Sequence, residues 1–277
     1  MQTVSMSSRT GGVVPAHICW AAYFAAAQAA HLFATNPKLR PAFIGAAADD
    51  PIAQGLYGDV WATLVIYVLS FVMDNTSIYD PYWPLAPMAL TAWWARTAAA
   101  TAPLGMRQLL AVGVVWVWAL RLLIGVPWSG WFSGLQEEDW RYAEIRAKTR
   151  GGLRYWAASL LSLHLTPTLM VFATLRPIGL VILAPSASVD LSAGEALAVG
   201  VCAVAIVVEG VADEQLRRFR EVEANTGGGC ESGLWRWCRH PNYLGEVLFH
   251  AGALCLGVIP QFLAFRYKTR GKYGDHP

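Results

Sequence analysis

The residues with most chemistry per length lie in one stretch, Gly233-Leu-Trp-Arg-Trp-Cys-Arg-His-Pro-Asn-Tyr-Leu-Gly-Glu246. It is polar, aromatic and basic, and apolar segments flank it. Packing alone has no use for Arg236, Arg239, His240, Asn242 and Glu246 together. Pro241 is suited to the first helical position, where its missing N–H costs nothing. A helix beginning there puts Asn242 and Glu246, four apart, on one face. Their amide and carboxylate then project beside the positive end of a helix dipole, a place to hold a polar ligand.

The elements around this stretch are membrane spans. Of 277 residues, 55% are hydrophobic and 14% charged, against about a quarter charged in soluble domains. The expected fold is all-α, a single polytopic membrane domain over residues 1–277 with about 6–7 transmembrane helices. A net charge of +2 is too small to imply nucleic acid. The five cysteines form no Cys-x-x-Cys pair, so neither a disulfide framework nor a zinc site is indicated. The first apolar run outlasts a signal-peptide core and reads as a span.

Apolar spans are expected over 13–34, 57–73, 85–103, 108–126, 155–174, 194–212 and 247–265. Residues 177–190 hold Pro177 and Pro185 and read as a loop or broken segment. Between the second and third spans lies Asp74-Asn-Thr-Ser-Ile-Tyr-Asp-Pro-Tyr-Trp-Pro84, a turn by composition. An interfacial aromatic belt accounts for its rings but not for Asn75 or Asp80. Arg121 lies inside the fourth span, where it either faces a partner or snorkels to an end. In 128–154, Glu137-Glu-Asp precedes Arg146, Lys148, Arg150 and Arg154, the order of an amphipathic helix, with Tyr142 and Arg146 on one face. His164 in the fifth span reads as a helix contact. The sixth helix continues outward, with Glu209, Asp213, Arg217 and Arg220 on one face.

Both Arg-rich loops, 127–154 and 213–243, can lie on one side, since two spans separate them. A single crossing by 247–265 puts the basic 266–272 on the other side. That conflict suggests a re-entrant run or a helical hairpin cut short.

Four motifs in order, Ser77-Ile-Tyr-Asp-Pro-Tyr-Trp83, Glu138-Asp-Trp-Arg-Tyr142, Ala212-Asp-Glu-Gln-Leu-Arg-Arg-Phe219 and Trp237-Cys-Arg-His-Pro-Asn-Tyr-Leu-Gly-Glu246, resemble the DUF1295 family. That family is related to the C-terminal domain of steroid 5-alpha-reductases and to sterol C14/C7 reductases. The resemblance covers roughly residues 57–258. It implies a membrane-embedded reductase that binds NADPH and reduces an activated C=C bond in a lipid. It also implies cofactor contacts at Asp213, Arg220, Asn242 and Glu246, with Arg121 similar to a phosphate-contacting Arg. Arg217, Arg239, His240 and Tyr243 complete the expected set. Arg forks suit the phosphates; Asn and carboxylates suit amide and ribose. Tyr79, Asp80 and Tyr82 are the candidates for polarising or protonating the substrate. The Gln-Glu pair with which steroid reductases hold a 3-oxo group is not recognisable here.

In the reductases the Asn-Tyr-x-Gly-Glu motif opens a two-helix hairpin followed by a polar tail. Here about 20 apolar residues follow Gly245, so a truncated form is expected. Two other readings stand beside the reductase. One is an S-adenosylmethionine-dependent methyltransferase of the isoprenylcysteine or phospholipid type, which shares Arg-His-Pro-x-Tyr. The other is a non-enzymatic protein on a reductase scaffold. Family analogy places the chain in the endoplasmic reticulum if eukaryotic and the inner membrane if bacterial.

Overall fold

The computed structural model describes residues 11–39, 49–125, 134–135, 137–184, 191–223 and 228–273, the side chains of 223 and 264–273 excepted. Among them every regular element is helical, and one isolated bridge pairs Val14 with Leu135. The helices are α1 (Ala16–Thr35), α2 (Pro51–Val72), α3 (Tyr79–Ala99), α4 (Met106–Gly125), α5 (Trp140–Lys148), α6 (Gly152–Ala158), α7 (Thr166–Leu183), α8 (Ala193–Glu223) and α9 (Pro241–Tyr273). A π-helical run, Ser159–Leu165, joins α6 to α7 without a break. Among the described residues, five helical stretches are long and apolar enough to cross a membrane: Pro51–Val72, Met106–Ile124, Gly152–Leu183, Ala193–Val222 and Pro241–Leu263. The protein is an all-α, multi-pass integral membrane protein.

Local chemistry sets the ends. Asp50 caps α2, accepting from Ile52 N at 3.1 Å, with Pro51 at the first position. Asp139 caps α5 the same way, accepting from Arg141 N at 2.9 Å. Thus the acidic run before α5 starts the helix, as its order suggested.

The described chain divides into two compact units. The first comprises 1–89 and 127–171, the second 90–126 and 172–277. In the first, α1 lies along α2, and Gly58 lets the backbones meet: a Cβ there would sit 2.8 Å from Ala30 O. In the second, α8 and α9 form a tight pair along a seam of glycines. A Cβ on Gly245 would stand 2.7 Å from Glu209 Cβ, and one on Gly252 2.7 Å from Cys202 Sγ. Gly257 continues the seam onto Pro177. Small residues let membrane helices pack by van der Waals contact where lipid gives no hydrophobic drive.

Two expectations need correction. Residues 177–183 are not a loop. Pro177 lies inside α7, and the helix runs on to Leu183, because a proline in a span is tolerated where neighbouring packing covers the interruption. Residues 185–190 lie outside the described residues. Nor does the last apolar run turn back: α9 is one helix from Pro241 to Tyr273, passing through Pro260.

Candidate functional site

Three helices of the second unit bring the cofactor candidates together. Pro241 starts α9, as its place in the sequence suggested, and Asn242 and Glu246 share a face toward α8. The preceding turn is tied down by α8. Gln215 Oε1 accepts from Leu234 N at 2.9 Å, and Trp235 Nε1 donates to Ala212 O at 2.9 Å. Gly233, at φ +58°, is needed there, because a Cβ would stand 2.3 Å from the Gln215 amide.

Arg121 on α4 is the centre. Its side chain is 14% exposed, so it does not snorkel. Nη1 lies 2.7 Å from Glu209 Oε1, and Nη2 is hydrogen-bonded to Asp213 Oδ2. The other Asp213 oxygen accepts from Asn242 Nδ2 at 3.1 Å. Glu246 accepts from Trp118 Nε1 at 3.0 Å and lies 3.0 Å from His250 Nε2. Trp118 in turn stacks on Phe249 at 4.8 Å. Two carboxylates, Glu209 and Asp213, therefore pair with one guanidinium, while Glu246 is held by Trp118 and His250. The satisfaction is incomplete. Glu209 Oε2 is buried with no hydrogen-bond partner, and Arg121 Nη1 makes its ion pair without an aligned hydrogen bond.

The other cofactor candidates lie differently. Arg217 is held within its own helix by Glu214 and Glu221, at 2.7 and 2.6 Å. Arg220, Arg236 and Arg239 are exposed and have no acidic partner among the described residues. His240 and Tyr243 are exposed and stack on each other at 5.2 Å.

The catalytic candidates belong to the first unit and split into two sets. Tyr79 and Tyr82 join a chain of buried hydroxyls that ends on Asp59. Tyr82 Oη donates to Asp59 Oδ1 at 2.6 Å and lies 3.2 Å from Thr63 Oγ1. Thr63 Oγ1 is 2.9 Å from Thr168 Oγ1, which is 2.9 Å from Tyr79 Oη. These groups line a crevice with Trp83 and Ala86, too narrow for a water molecule. Asp80 is engaged elsewhere. It accepts from Tyr142 Oη, and burial raises its carboxyl to about 7.

Sequence reasoning missed Asp59, Thr63, Thr168 and His250. Asp59 could have been found, since a lone carboxyl inside an apolar span is a functional candidate by default. His250 follows Asn242 and Glu246 at the same spacing of four, so the periodicity of α9 already placed it on their face.

A family model described as "Protein of unknown function (DUF1295)" matches residues 66–264. Comparison with curated proteins and with solved structures finds no match. The matched span contains the whole Arg121–Glu209–Asp213–Asn242–Glu246 cluster and all four sequence motifs, and the chain belongs to the DUF1295 family.

Proposed function

We propose that this protein is a membrane-embedded, NADPH-dependent reductase of an activated C=C bond in a lipid. The observation that carries the reading is the unequal polarity of the second unit. Its buried cluster has an excess of carboxylates and an orphaned acceptor, Glu209 Oε2. Its exposed cations, Arg220, Arg236 and Arg239, lack acidic partners among the described residues. A dinucleotide has the complementary polarity. Its carboxamide and ribose hydroxyls donate hydrogen bonds, and its phosphates accept guanidinium forks. Asn242, Asp213, Glu209 and Glu246 would hold the donating end. Arg220 and Arg239 would hold the phosphates, which the buried carboxylates would repel. Arg121 fits better as the internal counter-ion of Glu209 and Asp213 than as a phosphate contact. Arg217, already paired twice, fits a supporting role.

Bound there, NADPH supplies the hydride. The chain must supply the proton and polarise the alkene. Tyr79 and Tyr82 fit that role, each a donor in a buried, water-poor setting. Asp80 fits a structural one, since Tyr142 already occupies it.

The methyltransferase reading keeps one support, the Arg239-His240-Pro241-x-Tyr243 run. Thermal unfolding of the purified protein separates the readings. A ligand that binds only the native state stabilises it, by about 2.7 kcal/mol at 100 times its Kd. The expected result is a rise in Tm with NADPH, none with S-adenosylmethionine, and loss of the rise in Arg220→Ala. A rise with S-adenosylmethionine alone reverses the assignment. No rise with either ligand favours the non-enzymatic reading.

A further inference from the structure

The hydroxyl chain in the first unit is continuous. It runs Tyr79 Oη, Thr168 Oγ1, Thr63 Oγ1, Tyr82 Oη, Asp59 Oδ1, with successive separations of 2.9, 2.9, 3.2 and 2.6 Å. Three helices contribute to it: α2 gives Asp59 and Thr63, α3 the tyrosines, and α7 Thr168. All five residues are buried, none more than 5% exposed. Each hydroxyl can donate one hydrogen bond while accepting another. A row of such groups can therefore reverse its polarity by moving each proton one step. The row also ends on something able to gain or lose a proton. Asp59 has Tyr82 as its only side-chain partner among the described residues, and no cation pairs with it.

Helix gluing alone does not explain this composition. Threonine and tyrosine hydroxyls bridge membrane helices well, but a carboxyl among them is costly unless it has a use.

We propose that Asp59, Thr63, Thr168 and Tyr82 form a proton relay that recharges Tyr79, with the Asp59 carboxyl as the proton store. This rests on the reductase reading for its purpose. A bound nicotinamide cofactor would supply the hydride to one alkene carbon, and Tyr79 would give its phenolic proton to the other. Thr168 reprotonates Tyr79, Thr63 reprotonates Thr168, Tyr82 reprotonates Thr63, and Asp59 reprotonates Tyr82. Asp59 is left as a carboxylate and is refilled back along the same row, from the Tyr79 end, by one proton drawn from water. The sum is one hydride and one proton added across the double bond. Tyr79 is the catalytic residue; the other four are positioning residues that act through it.

The test has two arms. In the first, infrared spectra of the purified protein in detergent, in H₂O and D₂O, isolate the protonated carboxyl band that Asp59→Asn removes. The relay predicts such a band, and a several-fold slower hydrogen–deuterium exchange of it in Thr168→Val. Thr168→Ser, which keeps the hydroxyl, restores the wild-type rate. Absence of an Asp59 band, or an exchange rate indifferent to Thr168→Val, overturns the relay whether or not the protein is a reductase. In the second arm, NADPH oxidation is followed with an enone lipid. Thr168→Val lowers kcat by about a hundredfold, the scale of a lost general acid, with KM for NADPH unchanged. The rate then depends linearly on deuterium fraction where the wild type curves. A wild type that exchanges as predicted but oxidises no NADPH overturns the reductase reading and keeps the relay. An active wild type with an unchanged kcat in Thr168→Val overturns the relay and keeps the reductase.

Discussion

Two buried carboxylates of this protein, Glu138 and Glu209, meet opposite treatment. Glu138, in the first unit, accepts from Thr76 N at 2.9 Å and Tyr155 Oη at 3.2 Å. It also takes both arms of the Arg146 fork at 3.0 Å. Arg146 reaches on to Asp74 at 2.7 Å and lies over the Tyr155 ring at 4.2 Å. Both of its oxygens accept. Glu209, in the second unit, shares one Arg with Asp213, and one of its oxygens has no hydrogen bond. Saturated networks fix a structure; unsaturated ones cost stability and are kept where something else must bind. The contrast fits an architectural role for the Glu138-Asp-Trp-Arg-Tyr142 motif and the ligand-binding role proposed for the 209–246 cluster.

Substitutions can break that contrast, and the largest effect is expected at its saturated pole. Arg146→Ala strands Glu138 as a buried charge and should cost about 3–5 kcal/mol, measurable by thermal or SDS unfolding. A loss below about 1 kcal/mol would mean that the network is ornamental. Next comes the α8–α9 seam. Gly245→Val drives side-chain atoms into Glu209 and Ala205 O, both within 3.0 Å of the added Cβ. Overpacking of this kind costs about 1–3 kcal/mol, and it should abolish any NADPH-induced rise in Tm by spreading the cluster.

The sharpest comparison uses one substitution twice. Glu138→Gln removes a fork acceptor from a saturated cage and should cost about 1–3 kcal/mol. Glu209→Gln lowers the excess of negative charge and should leave stability within about 0.5 kcal/mol of wild type or raise it. Equal losses at both sites would erase the distinction drawn between them.

The smallest effect is a slope. The folded-state pKa of Asp80, about 7, lies above the ordinary carboxyl value because burial disfavours its charge. The folded state thus holds a proton that the unfolded chain releases between about pH 4 and 7. The stabilising contribution is present below that window and is lost as pH rises through it. Asp80→Asn keeps an oxygen acceptor for Tyr142 and should flatten this part of the Tm–pH curve. An unchanged slope would place the titration on another group.

Much of this was legible in the residues. Pro241 marked the start of α9, and spacing alone put Asn242 and Glu246 on one face. Arg121 inside a span called for either a partner or a snorkelling path, and Glu209 and Asp213 are the partner. What was not legible depended on long-range pairing. Thr63 and Thr168 are 105 residues apart and unremarkable singly; only their approach makes them a chain. Arg146 and Asp74 are 72 apart, so neither points to the other along the sequence. The π-helical turn at 159–165 left no trace in the hydrophobic period, yet it places His164 edge-on to Tyr79 at 5.0 Å. Pro177 misled because proline breaks helices in water more strictly than in packed membrane bundles.

The pairing of Arg121 has a consequence for biogenesis. Its partner Asp213 is 92 residues downstream. During synthesis α4 is made well before α8, with Arg121 in its apolar length and neither of its acidic partners yet present. On insertion scales such a residue costs a helix about 2.5–3.5 kcal/mol at the bilayer centre, and less toward its ends. Until α8 emerges, α4 is therefore a hesitant span, able to linger in the translocon or slip toward the interface. The arrival of Glu209 and Asp213 would seal it in place. A ribosome stalled before residue 209 should leave α4 more accessible to membrane-impermeant labels than the complete chain does.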